Sequence, residues 1–379
     1  MARGREQAVA ADESSVDVVV IGAGPAGLAT SQQLSARGIA HVVLERGDAV
    51  GHTWANLYDS LTLHTGKHLS SLPGLRFPRG YPLFIPRPLF CDYLRRYADT
   101  FRVPVETESA VIAVRRTNGG WRIVTARRER RATVLVIATG IVANPQRPRI
   151  PGADTFRGRL IHSVEYRNPA PYAGRRVLIV GVGNSGGEIG SEIARAGGHV
   201  TMGVRSGANV VPRTLLGVPI QYLAYWVRKL PRPAQDAIVA GVRKLTELRR
   251  GPPVLPRPRH SSLDAIPMIG FHLVDAIRAG RVHVKPGIAE LTPDGARFVD
   301  GSSEAFDDVI LATGFAPALG PLGDSVRTDA KGFALRTARV ASVDQPNLYF
   351  VGHNYDATGG LYNIRVDARL AAERIAGTR

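Results

Sequence analysis

Residues 16–27 read Val16-Asp17-Val18-Val19-Val20-Ile21-Gly22-Ala23-Gly24-Pro25-Ala26-Gly27. The β-branched run up to Ile21 predicts a strand buried on both faces of a parallel sheet. The glycine turn follows it, helical spacing runs over 28–37, and Gly38 ends that helix. A second short strand is predicted over 41–44, with Glu45 at its end, where a dinucleotide-binding unit carries its ribose-binding acid about 20 residues on. Each part of such a turn has a physical task. Gly22 permits the tight bend, Gly24 lets the backbone approach a pyrophosphate, and Gly27 lets helix and strand pack closely. The helix N-terminus, with Pro25 and Ala26 in its first turn, offers free N–H groups and a positive dipole to phosphate. Glu45 is suited to accept from both ribose hydroxyls, and Arg46 follows it at the site.

The same grammar recurs. A strand over 176–180 leads to Gly181-Val182-Gly183-Asn184-Ser185-Gly186, then a helix over 188–196, Gly197-Gly198, and a strand over 199–204. No acid stands where the first copy has Glu45; Arg205 and Ser206 follow instead. An acid repels a 2′-phosphate, whereas a guanidinium and a hydroxyl bind one. The first unit therefore suits FAD and the second NADPH. A further duplication supports this. A strand over 134–138 ends Ala138-Thr139-Gly140, and one over 308–312 ends Ala312-Thr313-Gly314-Phe315. The expected fold is α/β with two Rossmann-type nucleotide-binding domains, the NADPH domain inserted into the FAD domain. The boundaries read as a loose tail at 1–15, an FAD domain at 16–168 and 287–379, and an NADPH domain at 169–286. The chain returns to the FAD domain through a strand and turn at 347–352 and a helix over 364–375 whose N-terminus points toward the flavin ring.

Composition narrows the classes. The 379 residues are 44% hydrophobic and 21% charged, an ordinary globular composition. One cysteine, Cys91, excludes an intrachain disulfide, a Cys-x-x-Cys zinc or redox site, and disulfide reductase chemistry, and no metal site is expected. A reducing, cytoplasmic location is expected, and 1–15 has no apolar core of a signal peptide. The net charge of +17 suggests nucleic acid or an anionic membrane if taken alone. Only five of the 49 basic residues are lysine and the arginines are scattered, so a solvated basic surface is the simpler reading and no nucleic acid is expected. Helical spacing over 215–230 and 234–248, with Tyr222, Tyr225 and Trp226 beside Arg228 and Lys229, lies within a segment at 214–260. It reads either as a membrane-surface element, with peripheral contact through 214–250, or as a roof over the channel between the domains, which is preferred.

Phe156-Arg157-Gly158-Arg159-Leu160-Ile161-His162-Ser163-Val164-Glu165-Tyr166 resembles the fingerprint F-x-G-x-x-x-H-x-x-x-Y/F of the flavin-containing monooxygenases, within the class B flavin-dependent monooxygenases. The Tyr166-Arg167 ending departs from the Baeyer–Villiger branch. Gly51-His52-Thr53-Trp54 and Tyr58-Asp59-Ser60-Leu61-Thr62-Leu63-His64-Thr65-Gly66-Lys67 are similar to segments of the plant YUCCA enzymes and their bacterial relatives. So are the stretches at 81–87, 204–206, 211–213, 286–288 and 366–368, while His52 and 359–363 depart from that pattern. The resemblance implies an NADPH- and dioxygen-dependent FAD monooxygenase that forms a C4a-(hydro)peroxyflavin and oxygenates a small organic substrate. Two outcomes are implied, oxidative decarboxylation of a 2-oxo acid such as indole-3-pyruvate, or N- or S-oxygenation. It also puts Trp54 and His64 beside the flavin, with His64 and Lys67 as catalytic candidates and Lys67 and Arg87 as candidates for a substrate carboxylate. Thr139, Gly140, Thr313 and Gly314 complete the cofactor set. Two alternatives stay open: an NADPH oxidase or flavin reductase releasing hydrogen peroxide, and a basic membrane-surface or nucleic-acid-binding protein.

Overall fold

The computed structural model describes residues 15–258 and 266–378, so the tail expected at 1–15 lies outside the described residues but for Ser15. In chain order the strands that build the two main sheets begin with β1 (Ser15–Ile21), β2 (His41–Leu44), β3 (Val105–Glu106), β4 (Glu129–Ile137) and β5 (Arg159–His162). They continue with β6 (Arg176–Val180), β7 (His199–Val204), β8 (Val282–Pro286), β9 (Asp308–Leu311) and β10 (Leu348–Phe350). The helices that matter for the site are α1 (Pro25–Ser35), α2 (Arg87–Thr100), α3 (Asn184–Arg195), α4 (Ile220–Val227), α5 (Arg232–Arg250), α6 (His272–Arg278) and α7 (Gly360–Gly377).

The parallel part of the first sheet runs β10-β4-β1-β2-β3, extended by four antiparallel strands, and the second sheet runs β5-β9-β6-β7-β8 with every neighbouring pair parallel. In each, the strand entering the glycine turn sits at the centre beside the strand that ends in Ala-Thr-Gly. Val18, Val19 and Val20 are all fully buried, as a central parallel strand covered by helices on both faces requires. Antiparallel strands precede the Ala-Thr-Gly strand in both units, at Val111–Thr117 and Gly120–Thr125 in the first, and at Ile288–Thr292, Gly295–Phe298 and Ser303–Ala305 in the second. The duplication thus extends well beyond the motifs.

Sheet pairing moves the domain boundaries. Leu160 pairs with Val309 and Val309 with Leu178, so 159–162 and 308–311 are strands of the second sheet. Dividing the chain at 168/169 and 286/287 would cut from that sheet its edge strand 159–162 and the neighbouring strand 308–311; the strands of the second sheet run from 159 to 311. The roofing segment also differs from its sequence pattern. Residues 214–219 form a hairpin, Thr214–Leu215 against Val218–Pro219, with Leu216 and Gly217 both at positive φ (51° and 79°). That turn and Pro219 delay the helix, which covers only Ile220–Val227. The second helix of the segment runs Arg232–Arg250. Residues 259–260 of the expected segment lie outside the described residues.

Candidate active site

The two glycine turns are nearly the same object. Gly22 and Gly181 both have φ 105°, and a Cβ on either would lie within 2.7 Å of a carbonyl oxygen, of Ala138 and Ala312 respectively. A Cβ on Gly27 or Gly186 would strike the carbonyl of Gly22 or Gly181, at 1.8 and 2.3 Å. These four positions are glycine for close packing of strand against helix. Gly24 and Gly183 are different. Each caps its helix with the same extended backbone (φ −80° and −79°, ψ −172°), neither has a side-chain cap, and a Cβ there would meet nothing within 4 Å. Open space in front of uncapped first-turn N–H groups is the cradle that a pyrophosphate occupies. Both turns therefore pass the test of fit for a dinucleotide.

One cavity of about 1320 Å³ joins the two turns, larger than the roughly 300–1,000 Å³ of an ordinary small-molecule pocket. Of the expected site residues, Gly22, Gly24, Pro25, Ala26, Glu45, Arg46, Trp54, His64, Thr139, Gly140, Gly183, Asn184, Ser185 and Gly314 line it. Trp54 is held edge-on against Phe90 of α2 at 4.7 Å. Glu45 is buried, and its two carboxylate oxygens accept from the N–H groups of Ala23 (2.7 Å) and Gly47 (2.8 Å). The acid is thereby aimed at the turn, and each oxygen retains a lone pair for a ribose hydroxyl.

The two Ala-Thr-Gly ends stitch the crossovers between the units. Thr139 donates to the carbonyl of Ala318 (3.0 Å), and Thr313 donates to that of Gln146 (2.5 Å). Gln146 N–H returns a bond to Gly314, and Pro145 bridges Phe315. Thr313 thus acts at the crossover and does not line the cavity. His162 is fully buried beside this joint; its Nε2 donates to the Gly314 carbonyl (3.1 Å) and its Nδ1 accepts from Val164 N–H (3.2 Å). Burial keeps it below the ordinary histidine range, so it holds the joint as a neutral ring.

Arg205 and Ser206 stand exposed just after the C-terminal end of β7, outside the cavity wall. Lys67 and Arg87 do not line the cavity. The Lys67 ammonium donates to the carbonyls of Arg79 (2.9 Å) and Tyr81 (2.5 Å). Arg87 donates to the carbonyls of Ala55 and Leu57 and to Asp59 (2.9 Å). Both cations are spent on shaping the loops around the site, away from the cavity wall that catalysis by Lys67 or a substrate carboxylate on either would require.

Two acids of α3 that motif reading passed over, Glu188 and Glu192, hold side chains of the segment 58–64 from behind the cavity wall. His64 donates through Nε2 to Glu188 Oε1 (2.7 Å), and the Tyr58 hydroxyl donates to Glu188 Oε2 (2.5 Å). One helical turn on, Glu192 accepts from Ser60 (2.9 Å) and Tyr166 (3.1 Å). Burial pushes the Glu188 carboxyl upward, but the neighbouring His64 and the hydrogen bonds from His64 and Tyr58 outweigh it and hold the group below the usual carboxylate range. Burial, with Glu188 alongside, raises the Tyr58 phenol well above its ordinary value, so it stays a donor. A trace was present in the sequence: two acids four residues apart on α3 form a like-charge pair that costs stability unless each finds donors. Gln221 of α4 is buried too, accepting from Gly66 N–H (2.9 Å) and donating to the Thr358 carbonyl. Through it α4 is fixed over the cavity, to which Ile220, Leu223, Ala224 and Val227 contribute.

The sequence model of the family described as flavin-binding monooxygenase-like matches residues 15–378. The indole-3-pyruvate monooxygenase YUCCA1 of Oryza sativa subsp. japonica is 35% identical over 312 residues, covering 78% of this chain and 76% of that protein. The probable indole-3-pyruvate monooxygenase YUCCA1 of Arabidopsis thaliana is 35% identical over 309 residues, with 78% and 75% covered. Among solved structures, a double mutant of the flavin monooxygenase from Stenotrophomonas maltophilia superposes with a TM-score of 0.77 at 27% identity, over 96% of this chain and 99% of that one.

Proposed function

The chain belongs to the flavin-binding monooxygenase-like family, as a flavin-dependent oxidoreductase with FAD and NADPH as its cofactors, and from that premise we propose that it oxygenates a small 2-oxo acid of the indole-3-pyruvate type with loss of carbon dioxide. The observation that carries the proposal is the single cavity joining both glycine turns under a largely apolar roof. The kinship with proteins named indole-3-pyruvate monooxygenases supports the substrate class. When bound, reduced FAD supplies the activation of dioxygen; the protein supplies position, charge and exclusion of water.

The α1 N-terminus and Gly24 receive the FAD pyrophosphate, and Glu45 accepts from its ribose. The α3 N-terminus and Gly183 do the same for NADPH, with Arg205 and Ser206 for the 2′-phosphate. Ile220, Leu223 and Val227 give an aromatic substrate an apolar wall and keep bulk water from the reacting face. Arg243 of α5 also lines the cavity, is without a hydrogen-bond partner among the described residues, and offers a cation to the substrate carboxylate. His64 presents an imidazole edge to the same space.

The test is to offer indole-3-pyruvate, phenylpyruvate, a tertiary amine and a sulfide to FAD-loaded enzyme with NADPH, and to measure product and hydrogen peroxide together. The proposal expects the 2-oxo acids to give the decarboxylated acid and to suppress peroxide. Oxygenated amine or sulfide without any decarboxylated acid would assign the chain to heteroatom chemistry instead.

A further inference from the structure

The junction between Glu188 and the segment 58–64 has no part in either glycine turn, yet Tyr58 and His64 of that segment line the cavity and Glu188 stands behind them. Glu188 belongs to the second nucleotide unit, with 19% of its side chain exposed, whereas both of its donors, Tyr58 and His64, come from the first. Arg213, stacked on Phe84 at 4.1 Å, and His272 are the other charged or titratable groups that act on it from neighbouring elements. His64 lines the cavity, and its Nδ1 has no hydrogen-bond partner among the described residues. The arrangement is chemically selective. A carboxylate accepts on both oxygens and so serves two donors at once, whereas an amide offers one accepting oxygen and presents N–H groups on the other side.

We propose that Glu188 is a positioning residue that keeps the proton of His64 on Nε2 and presents Nδ1 to the cavity, so that the second nucleotide unit sets the hydrogen-bonding state of a side chain at the flavin site. The inference rests on the functional reading above only for where the ring is used. The second unit contributes a glycine turn and, one helical turn beyond its N-terminal residue Asn184, the acceptor that orients a group of the first unit. Tyr58 fixes the carboxylate's rotation by occupying its other oxygen. Removing the acceptor frees the imidazole to exchange tautomers, and a ring that alternates its free nitrogen is a poorer partner for anything bound beside it.

The experiment uses the full-length, FAD-loaded protein labelled with ¹⁵N-histidine, with the His64 resonances identified by their loss in His64→Asn. Wild type is expected to show His64 protonated at Nε2. Glu188→Gln is expected to give averaged tautomer shifts, because one amide oxygen faces two donors. Tyr58→Phe combined with Glu188→Gln is expected to restore the wild-type pattern, since the oxygen then faces His64 alone. In turnover, product formed per NADPH falls about tenfold in Glu188→Gln with FAD content unchanged, and recovers in the double variant. A wild-type His64 protonated only at Nδ1, or a Glu188→Gln spectrum indistinguishable from wild type, would overturn the proposal. The spectra decide it independently of turnover, so an enzyme that makes no oxygenated product with any substrate defeats the functional reading and leaves the positioning result standing on its own.

Discussion

At Gly22 and Gly24, two positions apart, the structure assigns glycine for opposite reasons. Gly22 has φ 105° with a carbonyl 2.7 Å from where a Cβ would sit, while Gly24 has ordinary φ and empty space. Gly22→Ala should therefore abolish folding or cost several kcal/mol, by strain and overlap. Gly24→Ala should change the stability of FAD-free protein by at most about 1 kcal/mol, yet weaken FAD binding at least tenfold by filling the pyrophosphate cradle. Urea melts and FAD fluorescence titrations separate the two; equal effects on both quantities would defeat the cradle. These glycines and Glu45 were readable from sequence because their tasks are local. Glu188 was not, because its partners Tyr58 and His64 lie 130 and 124 positions away. His353 offers a second prediction. It is 2% exposed, without a hydrogen-bond partner on either ring nitrogen among the described residues, and packed against Phe350 and Phe333. Burial, aided by Arg336, pushes it down to about 3. The folded value lies below the unfolded one, so its contribution to stability is complete above about pH 6.5 and is lost as pH falls toward 3. The stability difference between wild type and His353→Leu, measured in urea, should shift by about 1 kcal/mol between pH 6 and pH 5, to the detriment of wild type. A difference independent of pH would show that the ring titrates normally.

At the scale of elements, α4 carries the roof, while the hairpin before it and the outer side of α4 carry exposed apolar groups. Leu216 is 82% and Trp226 63% exposed, whereas the membrane-surface alternative rests on Tyr222, Tyr225 and Trp226 beside Arg228 and Lys229 at helical spacing. The cavity-facing side of α4 and its anchor Gln221 were hidden from the sequence, since an apolar helical stripe does not say which surface it covers. Gln221→Ala leaves the Gly66 N–H and the Thr358 carbonyl without their partner, each worth about 1–3 kcal/mol when buried. The expected result is a stability loss of about 2 kcal/mol and a rise in peroxide released per NADPH, with liposome sedimentation unchanged. A variant that loses liposome binding while keeping its coupling would instead make the segment a membrane element. At α1 the start departs from the apolar pattern in the opposite direction to α4. Pro25, Ala26 and Gly27 are simultaneously glycine turn and first helical turn, so a pattern search for apolar spacing starts one turn late.

As a whole, the molecule is two similarly built nucleotide units with the second threaded into the first. The repeats made that order legible, while its limits had to come from pairing: an outer strand of the second sheet, 159–162, lies ahead of its own glycine turn, where no local signal marks its membership. The net charge of +17 is largely a surface property, and its arginines are extensively paired, as Arg159 and Arg175 are on Asp308. The two units meet at the stitched crossovers and along the α3 carboxylates, leaving one cavity that joins the two glycine turns. That arrangement is the physical basis for transferring one oxygen atom of dioxygen to substrate and releasing the other as water. The most direct measurement is turnover of the FAD-loaded enzyme with NADPH and indole-3-pyruvate under ¹⁸O₂, followed by mass spectrometry of the product. Incorporation of one ¹⁸O atom into the carboxylate of indole-3-acetate, with one carbon dioxide released per NADPH, is the predicted result. Unlabelled product, with all the ¹⁸O recovered in hydrogen peroxide, would contradict it.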